Sequence, residues 1–187
     1  MINLLALCGS LRRASLNAML LRAVRRIAPD EIRVEIYPSL GELPMFNPDL
    51  ESSDPPAVAH LRHHIIHADG LIIASPEYAH GISGVMKNAL DWMVGNESFV
   101  NKPVMLVNAS PRATIAQQSL RETLMTMSAR VIDEAYVAVP ILGSKLDEDG
   151  IVNDVDVSEP LRNALHVFCN RLLSVSSSSA FPVLPVP

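Results

Sequence analysis

The sequence predicts a doubly wound α/β domain, with a five-stranded parallel sheet of order 2-1-3-4-5 covered by helices on both faces. Residues 4–7, 71–74 and 104–107 are uninterrupted apolar runs. Strands that are apolar on both sides belong to a parallel sheet buried between helical layers. Segments with apolar residues at helical spacing separate these runs, giving the alternation of strand and helix that right-handed crossovers require. The chain has 187 residues and is 49% apolar, enough for one domain with a substantial core.

The first strand is Ile2-Asn3-Leu4-Leu5-Ala6-Leu7-Cys8. The loop Gly9-Ser10-Leu11-Arg12-Arg13-Ala14-Ser15-Leu16-Asn17 follows it and leads into a helix over 18–27. A short strand is expected at 32–36. Residues 38–56 are a Pro-rich, irregular connection containing Leu43-Pro44-Met45-Phe46-Asn47-Pro48-Asp49. A helix over 57–68 carries Val58, Leu61, Ile65 and Ile66 on one side. Strand 71–74, helix 83–93, strand 104–107 and helix 115–127, with Leu120 and Leu124 in register, continue the alternation. Residues 131–139 read as the fifth strand and 158–173 as the closing helix. The domain spans 1–175, and the Ser- and Pro-rich tail 176–187 is expected to be poorly ordered. The first loop lacks the G-x-G-x-x-G pattern and carries hydroxyls instead. This favours the flavodoxin-like strand order over the dinucleotide-binding one.

A net charge of −5 argues against nucleic acid or an anionic membrane as partner. Cys8 and Cys169 form no ligand-spaced cluster. They read as reduced core thiols in a cytoplasmic protein, and two cysteines are too few for a Cys-ligated iron–sulfur cluster. The first apolar run is short and lacks a basic flank, so it reads as a strand rather than a signal peptide. No segment has the length of a membrane span. His60, His63, His64 and His67 lie on one predicted helix at spacings that suit a metal pair. No carboxylate or cysteine completes a ligand set in the sequence, so they read as a solvated face and no metal is expected.

Ligands of such sheets bind beyond the carboxyl ends of the strands, which singles out three loops. In the first, Ser10, Arg12, Ser15 and Asn17 surround a helix N-terminus, where free backbone N–H groups and the helix dipole favour an anion. Arg12 adds a charge-assisted contact suited to a phosphate. Plain capping by Ser15 is the simpler alternative. The second loop, Ser75-Pro76-Glu77-Tyr78-Ala79-His80-Gly81-Ile82-Ser83-Gly84, offers backbone amides and the Tyr78 ring to a flat polar heterocycle. Glu77 and His80 are titratable, but a lone loop histidine is more often a contact than a catalyst, and Glu77 suits orienting the loop. The third, Asn108-Ala109-Ser110-Pro111-Arg112-Ala113-Thr114, supplies a backbone edge and a second cation.

Gly9-Ser10-Leu11-Arg12-x-x-Ser15-x-Asn17, Pro76-Glu77-Tyr78 and Gly84-Val85-Met86-Lys87-Asn88-Ala89-Leu90-Asp91-Trp92 together resemble the NADPH-dependent FMN reductase family, over residues 2–139. The resemblance implies noncovalent FMN. Its phosphate would lie in the first loop, at Ser10, Arg12, Ser15, Leu16 and Asn17. Pro76, Glu77, Tyr78, His80 and Gly81 would border the ring, with Ser110, Pro111 and Arg112 opposite. It implies a ping-pong reaction in which NADPH or NADH reduces the flavin and a quinone, flavin, azo compound or metal oxyanion reoxidises it. The flavin does the chemistry, so no catalytic side chain is required, His80 being the weak candidate. A flavodoxin-type electron carrier and a non-catalytic flavin-binding protein are the alternatives. Family members are homodimers or homotetramers, and Met45, Phe46, Trp92 and Met93 are expected at an apolar interface. Two departures stand out: Ala79-His80 where many members have Asn after Pro-Glu-Tyr, and Ser110-Pro111-Arg112-Ala113 where many have a Gly-rich loop.

Overall fold

The computed structural model describes residues 1–176. In chain order its strands are β1 (Ile2–Cys8), β2 (Ile32–Ile36), β3 (Gly70–Ala74), β4 (Glu77–Tyr78), β5 (Gly81–Ile82), β6 (Pro103–Asn108), β7 (Arg130–Val131) and β8 (Val137–Ala138). Its α-helices are α1 (Leu16–Ile27), α2 (Pro56–His67), α3 (Gly84–Val94), α4 (Thr114–Thr126), α5 (Glu148–Asn153) and α6 (Val155–Ser176). The main sheet runs β2-β1-β3-β6, and β7 and β8 both pair with β6. All its pairings are parallel, so the expected order is the observed one. The tail beyond Ser176 lies outside the described residues.

Strand alternation divides the core in two. Leu4, Ala6, Ile72, Ala74, Met105 and Val107 face α1, α5 and α6. Leu5, Leu7, Leu71, Ile73, Val104 and Leu106 face α2, α3 and α4. Both sets are buried because helices lie on both faces, which is why these strands read as continuous apolar runs. Among the described residues no helix is long and apolar enough to cross a membrane. Both cysteines are free thiols, and burial raises the Cys169 pKa to about 11.

The fifth strand, expected as one run over 131–139, is broken into β7 and β8 by a 3₁₀ turn at Asp133–Ala135. Asp133 is drawn to Arg121 of α4, with Arg121 Nε donating to Oδ1 at 2.7 Å, while Glu134 pairs with Arg171 of α6. The turn thus sets its two carboxylates beside arginines on different helices. Helix α5 was also unforeseen, because its segment shows little helical periodicity. It is capped by Asp147, whose Oδ1 accepts from Gly150 N at 2.8 Å. It is tied to α1 by Arg22 Nε–Glu148 Oε2 at 2.7 Å and Arg26 Nη1–Asp149 Oδ1 at 2.6 Å.

Residues 38–56 contain two 3₁₀ turns, Leu40–Glu42 and Pro48–Ser53, and are pinned to α3. Trp92 Nε1 and Asn88 Nδ2 donate to Pro44 O at 2.7 and 3.0 Å, and Phe46 N donates to Asn88 Oδ1 at 2.7 Å. The Phe46 and Trp92 rings meet edge to face at 5.2 Å. Trp92 is therefore 3% exposed and Met93 1%. These two are core residues, which corrects the expectation that they form an exposed patch. Met45 remains 79% exposed.

Candidate functional site

Strands β1, β3 and β6 run parallel and end at Cys8, Ala74 and Asn108, so the three loops that follow them emerge together. Gly9 N donates to Ala74 O at 2.8 Å. A Cβ on Gly9 would lie 2.8 Å from Ser75 Oγ, 2.9 Å from Ser83 Oγ and 3.1 Å from Met86 Cβ. Only glycine lets the first loop lie this close to the second. Both serines are engaged: Ser83 N donates to Ser75 Oγ at 3.4 Å, and Ser83 Oγ caps α3 by accepting from Met86 N at 3.2 Å.

Ser15 caps α1, accepting from Ala18 N at 3.2 Å, so the helix starts at Leu16, earlier than the apolar pattern alone suggests. Ser10 Oγ accepts from Arg12 N at 3.4 Å. The Ser10 hydroxyl keeps its own O–H to donate, whereas the Ser15 hydroxyl also hydrogen-bonds with the Cys8 thiol. Helix geometry leaves the N–H groups of Leu16 and Asn17 without intrahelical partners. Asn17 is 8% exposed, and its Oδ1 is buried without a hydrogen-bond partner among the described residues. Arg12 is exposed, and its guanidinium has no ion-pair partner among the described residues. Capping thus accounts for Ser15 and leaves Arg12 and Asn17 unexplained.

Ser10, Arg12, Ser15, Leu16 and Asn17 line one wall of a cleft of about 360 Å³. Pro76, Glu77 and Tyr78 line a second, and Asn108, Ser110 and Arg112 a third. That volume is within the usual span of small-molecule sites, about 300–1,000 Å³. Asn108 shapes its wall: Oδ1 accepts from Ser110 N at 3.0 Å, and Nδ2 donates to Ala113 O at 3.2 Å and to the Tyr136 hydroxyl at 3.4 Å.

Glu77 joins the second wall to the third. Its Oε2 accepts from Ala116 N in the first turn of α4 at 2.9 Å, where Ala113 provides no side-chain cap. Its Oε1 lies 3.2 Å from His80 Nδ1. The bond from Ala116 holds the Glu77 carboxyl below the usual carboxylate range, with smaller help from His80, while burial opposes. A lowered native pKa means that the stabilising contribution is fully present above the unfolded carboxylate range. It is lost as pH falls through the native value. Glu77→Gln is therefore expected to be less stable than wild type at neutral pH, with the gap closing in acid. Urea unfolding from neutral to acidic pH measures this, and a gap constant with pH would contradict it.

Comparison with known proteins gives the family. The family model for NADPH-dependent FMN reductase matches residues 2–142. The chain belongs to the NADPH-dependent FMN reductase family. It is 31% identical to the quinone reductase of Escherichia coli K12 over 176 residues, covering 89% of this chain and 93% of that one. It is 34% identical to a probable NADPH:quinone oxidoreductase of rice, Oryza sativa subsp. japonica, covering 88% of each. Among solved structures, the flavoenzyme NAD(P)H:(acceptor) oxidoreductase of Paracoccus denitrificans superposes with a TM-score of 0.79 at 26% identity, covering 93% of this chain and 98% of that one.

Within this reductase, ten of the thirteen residues that the sequence singles out for the cofactor line the cleft: Ser10, Arg12, Ser15, Leu16, Asn17, Pro76, Glu77, Tyr78, Ser110 and Arg112. His80, Gly81 and Pro111 do not, and the His80 side chain is 77% exposed. Asn108, Ala14, Ala109, Ala113 and Leu142 line it without having been selected as cofactor contacts. Asn108 had a signal, as the polar residue closing an apolar strand. Leu142 is distant in sequence and had none.

The family departure Ala79-His80 falls on a tight turn. β4 and β5 form a hairpin with Tyr78 opposite Gly81, and the two residues between them have φ of 48° and 60°. Positive φ at both central positions is the type I′ turn, which prefers Asn-Gly. Alanine carries a steric penalty there that asparagine largely escapes. Ala79→Asn is expected to stabilise the reductase by up to about 1 kcal/mol. Thermal unfolding checks this, and an unchanged or lower Tm would contradict the strain argument.

Proposed function

We propose that the chain holds FMN in this cleft and passes electrons from NADPH or NADH to a small acceptor, a quinone, free flavin, azo compound or metal oxyanion. One observation carries the reading. The unpaired Arg12 guanidinium, the free N–H groups opening α1 and the orphaned Asn17 carboxamide oxygen meet in a cleft whose other walls offer a tyrosine ring and a loop edge. An anionic group suits the guanidinium and the N–H groups, a hydroxyl donor beside it suits the Asn17 oxygen, which can only accept, and a flat heterocycle suits the other walls; FMN carries all three in its phosphate, ribityl chain and ring. The chemistry FMN supplies when bound is hydride uptake from NAD(P)H and delivery to the acceptor, in ping-pong order.

The chain's own residues bind and orient. Arg12, the O–H group of Ser10, and the N–H groups of Leu16 and Asn17 hold the phosphate. Pro76 and Tyr78 border the ring, and Ser110 and Arg112 approach from the third loop. Glu77 acts as a strut between the second loop and α4, so it is assigned no proton transfer. His80 lies outside the lining of the cleft and is assigned none either. The alternative of a flavodoxin-type carrier lacks a feature favouring it here.

We further propose a cytoplasmic homodimer or homotetramer made of a single flavin domain over 1–175. The two free thiols support the location. Exposed Val94 and Val100, bordering one groove with Met127, support association. One purified preparation tests the reading. Released flavin should run as FMN on chromatography, light scattering should give more than one chain, and the protein alone should oxidise NAD(P)H with a quinone present. Mostly FAD, or no oxidation with full FMN occupancy, would overturn it.

A further inference from the structure

The histidines of α2 acquire in the fold the carboxylate that the sequence did not place beside them. His64 Nε2 lies 3.5 Å from Glu35 Oε1 of β2. His64 Nδ1 lies 2.8 Å from His60 O. A carbonyl oxygen only accepts, so Nδ1 carries the proton and, in the neutral ring, Nε2 keeps its lone pair. This is the orientation that metal-ligating histidines adopt, with the second nitrogen donating to a fixed acceptor. A tetrahedral ion with Zn–N and Zn–O bonds of about 2.0–2.2 Å holds its donors roughly 3.3–3.5 Å apart, which is the spacing of this pair.

We infer that His64 and Glu35 form a site for a divalent transition metal ion of the zinc class, joining α2 to β2. The pair faces a groove of about 280 Å³ that is also lined by Asn3, Arg33, His63 and His67. His67 is oriented like His64, with Nδ1 at 2.8 Å from His63 O. The His60 and His64 rings stand 4.2 Å apart between centroids, and those of His63 and His67 4.1 Å. Among the described residues no group of three His, Cys, Asp or Glu side chains is placed to hold an ion together. The site therefore has two protein ligands and leaves its other positions to water. Arg33 opposes the ion by charge and moderates the affinity. Asn3 and Ala68 place the groove at the opening ends of β1 and β3, whereas the flavin cleft lies at their closing ends, so binding here can be read independently of the flavin.

Zn²⁺ titrated calorimetrically into the full chain near about pH 7.5, where imidazole is neutral, tests it. One saturable site per chain is expected. His64→Gln and Glu35→Gln should each weaken it, because each removes one of the two protein ligands. Arg33→Ala should tighten it. Zn²⁺ should also raise the Tm of wild type and leave that of His64→Gln unchanged. Absence of saturable binding, or wild-type affinity in both His64→Gln and Glu35→Gln, would overturn the assignment. If His64→Gln fails to fold, Glu35→Gln and Arg33→Ala decide it by moving in opposite directions, and no movement in either overturns it.

Discussion

Replacing Arg12 with alanine is expected to weaken FMN binding while barely changing riboflavin binding. The guanidinium is exposed and takes part in none of the ion pairs of the described residues, so truncation leaves no core cavity and no stranded carboxylate. What it removes is a charge-assisted contact to phosphate of about 1.5–3 kcal/mol, or roughly ten- to a hundredfold in Kd. Riboflavin has no phosphate and is the internal control. Flavin fluorescence titrations of wild-type and variant apoprotein with both ligands measure the difference. Equal losses would place Arg12 against the ring or in the fold. No loss with either would return it to the solvated surface and leave Arg13 as the nearest cation for the phosphate.

Gly9→Ala is expected to damage both stability and flavin binding. The added Cβ meets two buried serine hydroxyls and a helix-bound Met86 Cβ, all within 3.1 Å. Neither serine can swing away cheaply, because Ser75 Oγ accepts from Ser83 N and Ser83 Oγ caps α3. Overpacking of this kind costs about 1–3 kcal/mol, which lowers Tm by roughly 2–4 °C per kcal/mol in a chain of this size. Because the wedge separates the loops that form two walls of the cleft, FMN affinity should fall with it. Gly9→Ala combined with Ser75→Ala removes one of the clashing oxygens, so the double variant should cost less than the sum of the singles. Wild-type Tm and FMN affinity in Gly9→Ala would refute the close-approach argument.

The sheet was legible from sequence because burial on both faces leaves no alternation in Leu4 to Leu7, Leu71 to Ala74 or Val104 to Val107, and few other structures need such runs. The wall of the cleft formed by the first loop was legible because strand, loop and helix are contiguous. What escaped depends on residues far apart in the chain. The break in the fifth strand coincides with Asp133 and Glu134 pairing with Arg121 and Arg171. Burial of Trp92 depends on the Pro44 carbonyl, so an aromatic near the ligand end read as surface when it was core. The grip of Glu77 on Ala116 spans 39 positions, and no local pattern announces it. The pairing of His64 with Glu35 is likewise a product of the fold. The Ala79-His80 turn was visible as a departure, but its meaning required the backbone angles.

The broken fifth strand has a consequence for the protein's behaviour at high concentration. A continuous strand at this position would present a row of unsatisfied N–H and C=O groups, a template on which another chain could extend the sheet. Here the edge is two pieces of two residues each, separated by a turn bearing two carboxylates. Neither piece is long enough to seed a stable ladder, and the turn between them interrupts the row of backbone groups. The same bend that lets Arg121 and Arg171 meet the edge from α4 and α6 therefore makes this edge a poor template for another strand. The opposite edge, β2, is a continuous strand of five residues and has no such break.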